Sequence, residues 1–145
     1  MDETRQTLNE LLVDLFNYIL LIEERNLQES NVSLSMTEVH ILEAIQKCES
    51  KMMSAIARRL MVTQGTLTVS TNKLVKKGYV ERIRDEEDRR IVRLALTDKA
   101  QHVLDVHDQF HSRMIDKVLR NLNVGEDEAL MKSLDNVLTF FKEHY

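Results

Sequence analysis

The sequence predicts a mainly α-helical chain interrupted once by a short β-hairpin. Three observations carry that expectation. The 145 residues include no Pro and only three Gly, so helix breakers are scarce. Apolar residues recur at three- and four-residue steps along most of the chain, and between Tyr79 and Leu96 the pattern switches to alternation of β-branched and charged residues. The length is that of about one domain, so a single unit over 1–145 is expected, large enough to bury a core.

Taken in order, the first helix is expected from Thr4 to Asn26. Leu8, Leu11, Leu12, Leu15, Tyr18, Ile19 and Ile22 form one apolar stripe there. A polar loop, Ser30 to Leu34, separates it from a second helix. That helix starts at Ser35, with Glu38 three residues on as a capping box. Val39, Ile41, Leu42 and Ile45 supply its inner face. A short third helix runs from Ser54 to Leu60. Met61-Val62 makes the turn, and Thr63 caps a fourth helix from Gln64 to Lys77, which Gly78 stops. Tyr79–Arg84 and Ile91–Leu96 are the strands, turning through Asp85-Glu-Glu-Asp88. Thr97 caps a long fifth helix with Val103, Val106, Phe110, Met114, Val118 and Leu122 along one face. Asn123-Val-Gly125 breaks the pattern, and a sixth helix carries Leu130, Leu134, Val137, Leu138 and Phe141.

Several functions are disfavoured at once. Trp is absent and aromatics make up 5% of the chain, which argues against recognition of single strands by stacking. The start, Met1-Asp-Glu-Thr-Arg5, does not read as a signal peptide, and no window approaches 18 apolar residues, so a cytoplasmic protein without a membrane partner is expected. Cys48 stands alone and cannot close an internal disulfide. No G-x-S-x-G, H-E-x-x-H or P-loop occurs, so no enzyme is expected.

The net charge of −4 conceals a strong asymmetry. Residues 51–97 carry eleven Lys/Arg against five Asp/Glu, whereas residues 1–50 carry three against ten. A basic centre between acidic flanks directs an anionic partner to the centre. In the fourth helix Leu67, Thr71 and Leu74 share one face, to be packed inward. Gln64, Gly65, Thr68, Val69 and Asn72 share the other. Small and polar groups at a helix start suit base edges in a major groove: Gln can pair with adenine, and Thr or Val methyls can meet thymine methyls. Gly65 lets the backbone approach closely. Thr63 and Thr66 lie at the helix start, where unpaired N–H groups favour phosphate, and Lys73, Lys76 and Lys77 lie further along at phosphate positions. In the hairpin, Arg84, Arg89 and Arg90 are candidates for a narrow minor groove, with Asp88 holding one guanidinium and thereby aiming the other. Arg82 and Arg93 read more plainly as a solvated edge.

Asp88-Arg-Arg-Ile-Val-Arg-Leu-Ala-Leu-Thr97 resembles the wing signature D-x-R-x-V-x-L-x-L-T of MarR-type winged helix-turn-helix regulators, and Leu60–Gly78 is similar to their recognition helix. The resemblance covers essentially the whole chain. It implies a homodimer reading an inverted repeat in double-stranded DNA. Residues 35–97 form the DNA-binding lobe, 4–26 and 98–144 are the dimerisation helices, and Arg90 is the wing arginine. Two positions depart from the family pattern: Val69, where many relatives carry Arg, and Ala100, where Gly is usual. Met61–Thr68 and Lys77–Arg90 are most similar to the FabT-like branch. That likeness implies repression of fatty-acid biosynthesis genes, strengthened by acyl-acyl carrier protein. No effector-lining residues follow from it.

His107 and His111 are four apart, a metal-ligand spacing on one helix face, and His40 with Glu23 or Glu24 could complete a tetrahedral set. A zinc-sensing branch of the same family uses a similar set, which makes Glu24, His40, His107 and His111 the ligands of an alternative, zinc-responsive reading. FabT-like relatives carry His-x-x-x-His without needing metal, and the main reading has no cofactor. A third reading, of another class, is a helical protein–protein adaptor whose basic centre meets an acidic partner.

Overall fold

Helix ends in the computed structural model, which describes residues 2–120 and 122–144, fall where side-chain caps and left-handed residues put them. The chain begins with α1 (Glu3–Glu10), passes through a π turn (Leu11–Leu15) and continues as α2 (Phe16–Glu29). A single α-helix over 4–26 was the expectation. The π turn lengthens the local period, and leucines at steps of three and four fit either winding. The next helix, α3 (Met36–Lys47), starts at the expected capping box: Glu38 N–H donates to Ser35 Oγ at 3.2 Å, and Ser35 N–H donates to the Glu38 carboxylate at 2.9 Å. Val39, Ile41, Leu42 and Ile45 are all buried.

Two further helices, α4 (Met53–Leu60) and α5 (Gln64–Lys76), precede the antiparallel hairpin of β1 (Val80–Arg84) and β2 (Val92–Leu96), in which Val80 faces Leu96 and Arg82 faces Leu94. A bridge from Met52 to Arg93 and a bond from Leu94 N–H to Lys51 C=O at 2.8 Å tie the hairpin to the loop before α4. No alternation marks a single bridged residue, so the sequence does not show it. The remaining elements are α6 (Asp98–Arg120), a 3-10 turn (Val124–Glu126) and α7 (Glu128–His144).

The chain divides into two compact units, one ending at Asp108 and the other beginning at Gln109. The first holds the buried core, in which Leu27, Leu42, Ile56, Leu74, Leu94 and Leu104 are at most 1% exposed. It keeps residues 4–26 together with the 35–97 lobe. The second consists of the rest of α6 and the helical C-terminal segment, and the stretch 98–144 passes through residue 121, which lies outside the described residues. Each unit leaves apolar side chains open: Leu8, Leu12, Leu15 and Phe16 in the first, and Ile115, Leu134, Leu138 and Phe141 in the second. The inner side of early α6 is Ala100, Val103, Leu104 and His107, while Val118 and Leu122, expected on the same stripe, are about half exposed. No helix among the described residues is long and apolar enough to cross a membrane.

Candidate nucleic-acid interface

The turn between α4 and α5 is set by Met61, a non-glycine residue at φ 56°. Its N–H bonds Arg58 C=O, and Val62 N–H reaches back to Ala57 C=O at 3.0 Å, closing the last turn of α4. Thr63 then caps α5: its Oγ1 accepts Thr66 N–H at 3.1 Å and donates to Thr66 Oγ1 at 2.9 Å. The start of α5 therefore has a short, fixed entry and several N–H groups directed outward.

Leu67, Thr71 and Leu74 are buried and hold α5 against the core. Thr63, Gln64, Gly65, Thr66, Thr68, Val69, Asn72, Lys73 and Lys76 are all exposed. The Thr68 hydroxyl donates to Gln64 C=O at 2.8 Å, so its proton is committed to the helix. Lys77 differs from the lysines before it. Its ammonium pairs with Glu38 at 2.8 Å, joining the end of α5 to the start of α3. Burial alone would raise the Glu38 carboxyl, but the bonds from Lys77 and Ser35 outweigh it and hold the group below its ordinary value. Gly78 ends the helix at φ 83°, where a side chain would be strained. The Thr97 hydroxyl donates to its carbonyl at 2.7 Å.

The hairpin tip is organised by two aspartates. Asp85 Oδ1 accepts the N–H groups of Glu87 and Asp88 at 2.9 and 3.1 Å, and its Oδ2 takes Arg93 at 2.6 Å. Asp88 accepts Arg90 N–H at 3.1 Å and holds the guanidinium through both oxygens, at 3.0 and 3.1 Å. The Arg93 bond, then the two backbone N–H groups, pull the Asp85 carboxyl below its usual range, and the Arg90 side chain does the same for Asp88. Of the adjacent arginines, Asp88 holds Arg90. Arg84 and Arg89 are exposed and have no partner among the described residues.

Two connections here carry no sequence signal. Lys51, part of the basic count, turns its ammonium onto the carbonyls of Ile45, Gln46 and Cys48 at the end of α3. Arg82 bonds Asn72 Oδ1 at 2.6 Å across the gap between hairpin and helix.

Behind α5 a cavity of about 220 Å³ is lined by Thr37, His40, Ile41, Leu60, Val62 and Leu67 among others. That is below the roughly 300–1,000 Å³ usual for drug-sized ligands. Further back, His107 is 2% exposed, and its ring meets His40 edge-on at 6.3 Å. Ligand atoms of His40, Glu43 and His107 lie within 4.8 Å of one another, close enough for a single ion, although Glu43 is also paired with Lys47. Of the two glutamates considered for zinc, Glu24 is exposed, whereas Glu23 is 4% exposed and within the same 4.8 Å of His107. His111 follows one turn later on α6, in the second unit.

This arrangement, a capped helix with an exposed polar face beside an arginine-tipped hairpin, has known counterparts. The MarR family model matches residues 34–92. The crystal structure of Streptococcus pneumoniae FabT in complex with DNA superposes with a TM-score of 0.88 at 37% identity, covering 97% of this chain and 99% of that one. SarZ of Staphylococcus haemolyticus, an HTH-type transcriptional regulator, is 31% identical over 108 residues, 73% of this chain and 71% of SarZ. The chain belongs to the MarR family. A third relative, the transcriptional regulator AdcR of Streptococcus pneumoniae, is 38% identical over 78 residues, 54% of this chain and 53% of AdcR. This MarR protein is thus a winged helix-turn-helix, DNA-binding transcriptional regulator and not an enzyme. The adaptor reading is set aside by that membership. In MarR terms α5 is the recognition helix and the β1–β2 hairpin is the wing.

Proposed function

We propose that the chain is a homodimeric repressor that binds an inverted-repeat operator before fatty-acid biosynthesis genes and responds to acyl-acyl carrier protein. The observation that carries this reading is the match to FabT, whose crystal structure holds DNA, at 37% identity over 97% of the chain. Two-fold pairing is supported by the apolar side chains that each unit leaves open, from Leu8 to Phe16 and from Ile115 to Phe141. Burying such surface at roughly 25 cal/mol per Å² favours a second copy. Two copies would set their recognition helices about one turn of DNA apart, roughly 34 Å.

Within each copy, Gln64, Gly65, Thr68, Val69 and Asn72 face base edges. Thr63, Thr66, Lys73 and Lys76 engage phosphates, and Arg84, Arg89 and Arg90, with Asp88 fixing the last, reach the adjacent minor groove. A gel shift on duplexes carrying inverted repeats from upstream of fatty-acid genes tests the whole reading. The expected result is a dimer-sized complex that strengthens with long-chain acyl-acyl carrier protein and weakens steeply with salt. Equal retardation by acylated and unacylated carrier protein removes the effector, and no specific retardation removes the operator.

A second reading, zinc response, is favoured by the His40, Glu43 and His107 cluster and by the buried Glu23 beside His107. These residue types fit zinc, which imidazole nitrogens and carboxylate oxygens bind together. Zinc titration of the purified protein decides this point. Tight binding lost in His107→Ala supports it, and no binding at micromolar metal removes it.

A further inference from the structure

In the hairpin, side chains alternate across the sheet, so Arg82 shares a face with Val80 and with its cross-strand partner Leu94, both 1% exposed. Arg82 itself is exposed, so water could serve its guanidinium. It is nevertheless turned to Asn72, one turn beyond Thr68 on the exposed side of the recognition helix, at 2.6 Å from Nη2 to Oδ1. A guanidinium has donors only, so the amide atom facing Arg82 must be the oxygen, and the NH₂ group is turned away from it. Among the described residues that NH₂ has no partner.

We infer that Arg82 is a positioning residue that orients Asn72 to present its NH₂ group, biasing it toward donation to DNA. A free asparagine can pair with adenine in bidentate fashion, accepting from N6 and donating to N7. Arg82 takes one of the two Oδ1 lone pairs and turns the oxygen toward the hairpin, so that pairing is weakened. Asn72 then addresses acceptor-only edges, guanine O6 and N7 or thymine O4, and adenine at the facing position is disfavoured. Arg82, for its part, is held to the helix and does not serve as a phosphate contact. The inference takes DNA binding by this face as given and assigns the wing a part in base choice, exercised from the side of the recognition helix.

The test is selection of operator sequences from a randomised duplex pool by the intact protein, followed by affinity and salt-slope measurements on the winners. Arg82→Met frees Asn72. It is expected to raise adenine at one position by on the order of tenfold relative to guanine or thymine, while the slope of log K against log salt stays unchanged. Arg82→Lys, which keeps a donor, restores the wild-type preference at least in part. In an Asn72→Ala background, Arg82→Met no longer alters base preference. Unchanged preference in Arg82→Met overturns the inference. So does a loss that is uniform across sequences with a salt slope shallower by about one, the mark of a lost phosphate contact. If the wild-type protein selects no duplex at all, the DNA-binding reading of this face fails instead, an outcome distinct from both. Circular dichroism of each variant confirms that the fold is kept.

Discussion

Replacing Lys51 with Met separates a structural cation from a DNA-binding one. Its ammonium donates to Gln46 C=O at 3.1 Å, to Cys48 C=O at 2.7 Å and to Ile45 C=O, all in the last turn of α3. The last carbonyls of a helix have no partner inside it, and a cation there also meets the negative end of the helix dipole. Met keeps most of the aliphatic stem and removes the charge. One charged hydrogen-bonding group is worth about 1.5–3 kcal/mol net, and the three bonds share a single ammonium. Adding about 0.3–1 kcal/mol for the helix terminus gives a loss of roughly 2–4 kcal/mol. At about 2.1 cal/mol/K of unfolding entropy per residue, 145 residues give roughly 0.3 kcal/mol/K, so Tm should fall by about 7–13 °C. Scanning calorimetry measures this at fixed protein concentration, since pairing couples to stability. Amide exchange at Leu94, which bonds Lys51 C=O, should quicken as well. A fall under about 2 °C would show that water replaces the ammonium without loss, and the capping role would be refuted.

Gly65→Ala tests close approach of the backbone to DNA. A Cβ there meets only Thr63 Oγ1, at 3.9 Å, so the free protein has room and should gain up to about 1 kcal/mol in stability, while operator affinity falls several-fold. Unchanged affinity by fluorescence anisotropy would mean that the backbone stays away from the duplex. The wing should also depend on pH. Asp85 and Asp88 have lowered folded values, so their contribution is complete above the ordinary aspartate value of about 4 and is lost as pH falls through the lower folded values. Carboxyl chemical shifts followed by NMR should place both midpoints below those of exposed aspartates, and Arg93→Ala should return Asp85 towards the usual range. Midpoints at the ordinary value would refute the tip geometry.

The elements legible in the sequence are those whose signals are local. Ser35 with Glu38, Thr63 and Gly78 each fix a helix end through bonds to residues within a few positions, and the structure shows those bonds or that backbone angle. The 2.0 period from Tyr79 to Arg84 is equally local. The π turn at Leu11–Leu15 is not, because its residues would suit an ordinary helix as well. The same holds for His107. Its spacing from His111 reads as ligand geometry, yet it also lies on the face with Val103 and Leu104, at 2% exposure. A sequence cannot tell a buried histidine that braces two helices from one that awaits an ion, because both need an inward position.

The basic centre shows why charge counting finds an interface but not its contacts. Eleven cations lie between residues 51 and 97. Lys51 caps α3, Lys77 pairs with Glu38, and Arg93 pairs with Asp85, three groups held by the fold itself. Arg90 is oriented by Asp88 and Arg82 by Asn72, so each reaches DNA, if at all, in a geometry its partner dictates. Arg58, Arg59, Lys73, Lys76, Arg84 and Arg89 remain exposed and unpaired among the described residues. A cation with a protein partner loses little entropy when it meets a base edge, whereas a free one exchanges small ions for a phosphate and contributes to the salt slope. On the proposed DNA-binding role, the two classes would divide the work along the same lines as specificity and affinity. What assigns a residue to its class is a partner such as Asp88 or Asn72, two to ten positions away and across a turn, which no count of charges contains.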